Sequence, residues 1–198
     1  MMRNIALAAP AMDEAEVSLS SLKAGERQAW ERCYQEWYPK VYSYAYRRTG
    51  DREAAADLAA EVFLRMVREL DRYNPQRLSF AAWVFCLAHD RTVDYLRRKG
   101  RRSAVSLTVL GERGPLQEDA AEAMAEREAL ERALRSLTEE QQAVLLLRFY
   151  VGLSSEETGK ALGKEAGAVR ALQFRALRHL RQLLTVEEKR PQAGEART

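Results

Sequence analysis

Apolar side chains recur at helical spacing along most of the chain. Between residues 22 and 48 aromatic and aliphatic positions fall three or four residues apart. A second ladder follows with i, i+4 spacing, with Phe63 and Val67 alongside Leu58, Val62, Met66 and Leu70. Runs with the two-residue alternation of strands are absent. This periodicity predicts an all-α fold.

Glycine, proline and capping residues predict where the first helices begin and end. Pro39 is expected to begin a helix, because proline is accepted in a first turn and is costly inside a helix. Gly50 would end that helix and Asp51 would cap the next, which runs to about residue 70. A loop containing Asn74-Pro75 then leads into one long helix, Phe80 to Lys99.

The C-terminal half contains two sequences typical of capping boxes, Thr138 with Gln141 and Ser154 with Glu157. Gly163 would end a short helix, and residues 166–184 would form the last one. Residues 101–124 contain two glycines, a proline and no aromatic residue, which is typical of a linker.

These breaks predict two small helical domains joined by a flexible linker. The predicted segments are a disordered leader 1–20, a first domain 21–102, a linker 103–123, a second domain 124–186 and a disordered tail 187–198.

Charge is distributed unevenly along the 198 residues, although the formal net charge is only +3. Residues 86–102 contain six basic and two acidic side chains, and residues 159–184 contain six basic and one acidic. Residues 51–71 contain three basic and six acidic side chains. Two basic helices are the electrostatic pattern expected of a protein that binds nucleic acid.

Several classes of function are disfavoured by composition. No apolar run approaches the roughly 20 residues that span a bilayer, so an integral membrane protein is not expected. The two cysteines have no CxxC spacing and the two histidines have no partner motif, so we expect buried thiols, no metal site and no cofactor. The N-terminus is a poor match to a signal peptide, and a cytoplasmic protein is predicted.

The end of the chain follows a helix-turn-helix pattern. A short capped helix ends at Gly163, and a basic helix follows whose N-terminal residues would face base edges in the major groove. Arg170 and Gln173 have forked donors suited to guanine and adenine. Lys164, Arg175 and Arg178 are predicted to hold phosphates.

Aromatic residues stand where a loop meets the first basic helix. Phe80 and Trp83, with Asn74 in the loop, could stack and read the bases of an opened strand. Aromatic residues at this spacing are also typical of a hydrophobic core, and the pattern alone leaves both interpretations open.

Three motifs in order resemble one family. Asp57-Leu-Ala-Ala-Glu-Val-Phe63, the stretch from Phe80 to Arg98, and residues 137–184 with Leu-Ser-x-Glu-Glu and Gly-Ala-Val-Arg resemble the extracytoplasmic-function (ECF) group of sigma-70-type RNA polymerase sigma factors. The resemblance covers about residues 22 to 184.

The resemblance implies a nucleoid-associated, non-enzymatic transcription initiation subunit with three partners: core RNA polymerase, promoter DNA and an anti-sigma factor. The residues implied to bind the β′ clamp of the polymerase are Asp57, Leu58, Glu61, Val62 and Phe63. Those implied to serve the −10 element are Asn74, Phe80, Trp83, Asp90, Arg97 and Arg98. Those implied to serve the −35 element are Lys164, Arg170, Gln173, Arg175 and Arg178. Leu145 and Phe149 are implied to seat the second domain on the β flap.

The chain departs from the family pattern at three places. Ala60 stands where glutamine is usual, and Asp90 where asparagine is usual. Thr158-Gly159 replaces the usual Ile-Ala, and glycine inside a helix costs about 1 kcal/mol relative to alanine, so a looser helix is expected there.

Two other functions remain as alternatives at this point. A helix-turn-helix regulator could bind an operator without joining polymerase, which would leave the acidic helix unexplained. A metal-dependent hydrolase could use Asp57 and Glu61, which share one helix face at i, i+4 spacing. Neither a second acidic pair nor a histidine ligand accompanies them.

Overall fold

The computed structural model describes residues 19–100 and 120–188, and these residues form helices joined by short turns. The helices are α1 (Leu19–Lys23), α2 (Arg27–Thr49), α3 (Arg52–Glu69), α4 (Phe80–Lys99), α5 (Ala120–Arg135), α6 (Glu139–Leu145), α7 (Ser155–Leu162) and α8 (Ala166–Glu188). A 3-10 turn, Leu70–Arg72, follows α3, and a π-helical turn, Leu146–Tyr150, follows α6. Within these ranges no strand is found, which confirms the predicted fold class.

The first unit is built from α2, α3 and α4, which pack on one another. Its core contains the apolar ladder of α3, including the buried side chains of Val62 and Met66, together with Val41, Trp37 and Phe85 from the neighbouring helices. The ladder of α3 therefore faces inward as predicted, except at Val67, which is 58% exposed.

The prediction that a helix begins at Pro39 is wrong. Helix α2 runs without a break from Arg27 to Thr49, and Pro39 lies inside it. Proline lacks an N–H group and its ring crowds the preceding turn, which costs about 3 kcal/mol in a helix interior. Cys33, Trp37, Val41 and Tyr44 are buried along the same helix on both sides of the proline, and their packing offsets that cost.

The ends of α2, α3 and α4 follow the predicted capping chemistry. Gly50 ends α2 with a left-handed backbone (φ 64°), and the Asp51 side chain accepts a hydrogen bond from the backbone N–H of Ala54. Ser79 caps α4 in the same way through the N–H of Ala82. These caps fix where the loop between α3 and α4 meets the basic helix.

The second unit is built from α5 to α8, with α6, α7 and α5 all packed on α8. Both predicted capping boxes are formed, Thr138 with Gln141 at α6 and Ser154 with Glu157 at α7. The helix after Thr138 widens into the π-helical turn, a feature that the sequence did not indicate.

The two units pack against each other, and this contact was not predicted. Helix α7 lies against α4, and Leu147, Leu153 and Ala161 belong to the same apolar cluster as the core of the first unit. Polar contacts surround that cluster: Ser79 donates to the Glu157 carboxylate and Lys160 donates to the backbone carbonyl of Arg77. We call this arrangement the closed form.

The predicted boundaries fall near the observed helix ends. Residues 1–18, 101–119 and 189–198 lie outside the described residues, and with them most of the predicted leader, linker and tail. Helix α1 begins before the predicted end of the leader, α5 begins four residues before the predicted second domain, and α8 extends to Glu188. None of the helices in the described ranges is long and apolar enough to span a membrane.

Candidate interaction surfaces

The acidic helix α3 divides its predicted polymerase-binding residues between two faces. Asp57 is exposed, whereas Leu58, Val62 and Phe63 are buried in the core. Glu61 is half-buried and accepts a hydrogen bond from Arg91 Nε at 2.9 Å. Only Asp57 is therefore fully open to a partner in the closed form.

The outer face of α3 also contains apolar residues that the sequence analysis did not select. Leu64 is 57% exposed and Val67 is 58% exposed. Ala60 is exposed on the same side of the helix. Their spacing from Asp57, at i+3, i+7 and i+10, is the signal that marks one helix face. The face thus combines one carboxylate with a patch of exposed aliphatic side chains.

Four tyrosines form a stripe beside this face. Tyr34, Tyr38, Tyr42 and Tyr46 follow one another at i, i+4 spacing on α2, and adjacent rings stack with centroids 4.7, 6.2 and 6.2 Å apart. Phe63 of α3 lies 5.0 Å from the Tyr34 ring. The stripe therefore joins the surface of α2 to the inner side of α3.

The predicted base-stacking aromatic residues form a compact cluster. The Trp83 ring lies 4.9 Å from that of Tyr73 and 5.6 Å from that of Phe80. Trp83 is buried and Phe80 is half-buried. The cluster is part of the hydrophobic core. It also borders the loop before α4, so base stacking at its edge stays a prediction.

The loop before α4 is held by its own turn. Asn74 Oδ1 accepts a hydrogen bond from the backbone N–H of Gln76 at 2.9 Å, and Tyr73 donates to the carbonyl of Leu78 at 3.0 Å. Asn74 and Gln76 remain exposed at the tip. Their amide groups are therefore presented on a preformed loop.

Helix α4 carries the remaining predicted −10 residues on its outer side. Arg97 and Arg98 are exposed in its last turn. Asp90 lies 3.6 Å from Arg65. Burial raises the pKa of the Asp90 carboxyl, Asp94 raises it further, and Arg65 opposes both.

A cavity of about 610 Å³ lies between α4 and α7. Its lining includes Arg65, Asp90 and Arg97 from the first unit and Lys160 from the second. The cavity mixes both signs of charge, and it is part of the contact between the two units.

His89 of α4 lines this cavity and contacts helix α2. Its Nδ1 lies 3.0 Å from the Tyr44 hydroxyl. Burial lowers the pKa of His89 to about 4, and the positive charges of Arg48, Arg97 and Lys164 add to that effect. The imidazole is therefore neutral at neutral pH.

The turn between α7 and α8 depends on a close backbone approach at Gly159. The backbone N–H of Lys164 donates to the carbonyl of Gly159 at 2.8 Å. A Cβ atom on Gly159 would lie 2.4 Å from the carbonyl oxygen of Lys164. This glycine is buried where the turn folds back, so the absence of a side chain is what permits the close approach.

Helix α8 presents most of its predicted DNA-binding residues to solvent. Arg170, Arg175 and Arg178 are exposed, and Arg170 lies 3.3 Å from Glu156. Lys164, just before the helix, forms an ion pair with Glu140 at 2.7 Å. Exposed pairs of this kind contribute little to stability, so these cations are available to another anion.

The same helix carries an oriented amide at Gln173 and an exposed aromatic ring at Phe174. The Gln173 carbonyl oxygen accepts a hydrogen bond from Arg148 at 3.1 Å, which orients the side chain. Phe174 is 66% exposed, between Arg170 and Arg178 at i+4 from the first and i−4 from the second. A large exposed apolar side chain amid cations is a functional candidate that the charge-based analysis missed.

Family models match both units. The model "Sigma-70 region 2" matches residues 33–102 and the model "Sigma-70, region 4" matches residues 133–182. The ECF RNA polymerase sigma factor SigD of Mycobacterium tuberculosis is 34% identical over 165 residues, which cover 80% of this chain and 78% of SigD. This chain belongs to the ECF group of the sigma-70 family. The family assignment confirms the resemblance inferred from the three motifs.

Another relative of this sigma factor supports the same family assignment. The ECF sigma factor BldN of Streptomyces coelicolor is 34% identical over 165 residues, which cover 82% of this chain, and the chain spans 62% of the length of BldN. Two solved structures share the fold. CnrH, in complex with the cytosolic domain of CnrY, has a TM-score of 0.63 at 20% identity and covers 85% of this chain and 96% of its own. RpoE of Bartonella quintana, in complex with the anti-sigma factor NepR, has a TM-score of 0.64 at 18% identity. The match covers 81% of this chain and 99% of the RpoE chain.

Proposed function

We propose that this sigma factor joins bacterial core RNA polymerase and directs initiation at promoters by binding their −35 and −10 elements. The observation that carries the proposal is the presence, in one ECF-family chain, of an exposed apolar and acidic face on α3 and an exposed cationic face on α8. The first suits a protein partner and the second suits DNA.

The polymerase contact is assigned to the outer face of α3. Asp57 would pair with a basic residue of the β′ clamp, and Leu64 and Val67 would supply the apolar area that a specific interface needs. Leu58, Val62 and Phe63 are buried, and their role is to hold this face in place. On the second unit Phe149 is 37% exposed and Leu145 is buried, so Phe149 is the better candidate to contact the β flap.

The −35 contact is assigned to α8. Arg170 and the Gln173 amide would read base edges in the major groove. Phe174 would pack on a thymine methyl group, the apolar feature of that groove. Lys164, Arg175 and Arg178 would hold phosphates, which give affinity and salt dependence but little sequence preference.

The −10 contact is assigned to the loop before α4 and to the outer side of that helix. The exposed amide of Asn74 would read an extruded base. Arg97 and Arg98 would neutralise phosphates of the opened strand. Phe80, half-buried above Trp83, would form the aromatic floor of the site. Asp90 would border the strand with a negative charge.

Promoter binding requires the closed form to open. Elements centred about 25 base pairs apart on a duplex of about 34 Å per ten base pairs are separated by roughly 85 Å. A compact chain of this length has a radius of gyration of about 16 Å. Helices α4 and α8 therefore cannot reach both elements until the two units separate.

An anti-sigma factor is proposed as a third partner. CnrH and RpoE, which share this fold, were solved with the cytosolic domain of CnrY and with the anti-sigma factor NepR. The exposed aliphatic patch of α3 is the surface on this chain that such an inhibitor would need to cover. Covering it would deny the chain to polymerase.

The test is run-off transcription with added core polymerase on a panel of promoters, with core binding measured separately. The wild-type chain should give promoter-specific products. Leu64→Glu should abolish core binding, because it places a charge in the apolar patch. Arg170→Gln is the matched control on the other surface and should weaken promoter selection while core binding is kept. A wild-type chain that binds promoter DNA tightly without polymerase, and is unaffected by Leu64→Glu, would instead be a helix-turn-helix regulator.

A further inference from the structure

Two consecutive arginines at the end of α2 are buried in the closed form and contact the second unit. Arg47 and Arg48 are each 1% exposed. The Arg47 guanidinium lies 4.2 Å from the centre of the Tyr150 ring. Arg48 Nη1 donates to the carbonyl of Glu139 at 3.2 Å and lies 3.5 Å from the Gln142 amide oxygen. The named partners all belong to the second unit, so its separation removes these contacts.

Arg47 is poorly satisfied in the closed form. Its Nε and Nη2 atoms have no hydrogen-bond partner among the described residues, and no carboxylate in those ranges pairs with it. Burial lowers the pKa of the Arg47 guanidinium, and Tyr150 only partly offsets this. A guanidinium that is buried permanently is normally paired with an acid that uses its fork of donors. Pairing with an anion in an open form would therefore stabilise the Arg47 guanidinium relative to the closed form.

Arg48 lies in the same charged region as cations that we propose bind DNA. Arg48, Arg97 and Lys164 all act on the imidazole of His89, so they share one electrostatic neighbourhood. Arg97 lies in the last turn of α4 and Arg48 in the last turn of α2. Once uncovered, Arg48 and its neighbour Arg47 would extend the cationic side of the first unit.

We infer that Arg47 and Arg48 form a phosphate-binding site for promoter DNA that the second unit covers in the closed form and exposes when the units separate. Arginine suits this ligand because its planar fork matches phosphate oxygens and stays charged. The inference rests on the proposed function, since separation follows from the spacing of the two promoter elements.

The first test uses the unaltered chain and the arginine reagent phenylglyoxal, with modification at each arginine measured by mass spectrometry. Arg47 should be protected in the free chain, modified in the complex with core polymerase, and protected again when promoter DNA is added. Modification of Arg47 in the free chain, or its protection in the polymerase complex without DNA, would show that the second unit does not cover it in the way proposed. Equal modification with and without DNA overturns the phosphate site.

The second test compares the salt dependence of promoter binding by the polymerase complex. Arg47→Gln with Arg48→Gln should reduce the slope of log K against log salt by about 1.4 to 1.8, the value for two lost phosphate contacts. The matched control is Arg27→Gln with Arg32→Gln, which removes the same charge from the exposed side of α2 and should leave the slope unchanged. Arg47→Lys with Arg48→Lys keeps the charge and should restore most of the slope.

The outcomes separate the two proposals. If the wild-type chain forms no promoter complex with core polymerase, the proposed function fails and this site falls with it. If that complex forms normally and both glutamine pairs show the wild-type slope, the function stands and the arginine site is wrong.

Discussion

Replacing Gly159 with alanine tests the turn of the helix-turn-helix most directly. Helix propensity alone favours alanine over glycine by about 1 kcal/mol, which predicts a more stable chain. The structure predicts the opposite sign, because the new Cβ would lie 2.4 Å from the carbonyl oxygen of Lys164 and 3.5 Å from the nitrogen of Ala166. Both are backbone atoms, which cannot rotate away as the end of a side chain can.

The expected magnitude follows from these two opposing effects. Overpacking a tight interior costs about 1 to 3 kcal/mol, and contact with backbone places this site in the upper part of that range. After the gain in propensity, Gly159→Ala should lower the free energy of unfolding by about 1 to 2 kcal/mol. For a chain of this size that corresponds to a fall in Tm of roughly 2 to 8 °C.

Gly167→Ala is the matched control. Gly167 is also helical, but apart from its chain neighbours and the backbone of its own helix no atom lies within 4 Å of the position its Cβ would take. Alanine there should stabilise the chain by up to about 1 kcal/mol. Thermal and urea unfolding followed by far-UV circular dichroism would measure both variants. If Gly159→Ala is as stable as Gly167→Ala, the close approach at the turn does not constrain the residue, and the reasoning is refuted.

Three further predictions concern single side chains. Phe174→Ala should weaken promoter binding by roughly 10- to 150-fold, about 1.5 to 3 kcal/mol, with core binding unchanged in a pull-down assay; equal losses in both would contradict its assignment to DNA. Asp90→Asn removes a negative charge beside the opened strand and should tighten promoter binding several-fold in gel-shift titrations, while unfolding changes by less than about 1 kcal/mol because the Arg65 pair is half-exposed. His89 has a pKa of about 4 in the folded chain against 6.5 when unfolded, so the unfolded chain binds more protons between those values. Stability should therefore fall by up to about 3 kcal/mol as pH falls from 6.5 to 4, and unfolding curves of His89→Gln should lack that component.

The sequence predicted local structure well because the signals are local. The capping boxes at Thr138 and Ser154 depend on residues three positions apart, and both are formed as expected. Pro39 shows the limit of such signals, because packing of α2 on its neighbours overrides the local preference of proline. The clash at Gly159 depends on the path of a turn five residues away, which propensity does not describe.

The sequence indicated which helices carry charge more accurately than which side of each helix is exposed. The exposed arginines of α8 were expected from composition, and the family resemblance indicated Asp57. Val62 is buried and Val67 is exposed. The two lie five residues apart, about 140° round an ideal helix, so their shared apolar character did not place both on the inner face. Docking of one unit on the other was unpredictable, since an apolar helix face looks the same whether it meets its own unit or the next.

The contact between Ser79 and Glu157 joins the starts of two helices. Ser79 caps α4 through the N–H of Ala82, and Glu157 completes the capping box of α7 by accepting from the N–H of Ser154. Burial would raise the pKa of Glu157, but the hydrogen bonds from Ser79 and Ser154 hold it below its ordinary value. Each cap is complete within its own unit, so water can replace the bridge without unwinding a turn. The two halves can thus move apart as rigid bodies, a transition that would alter small-angle scattering while leaving helix content unchanged.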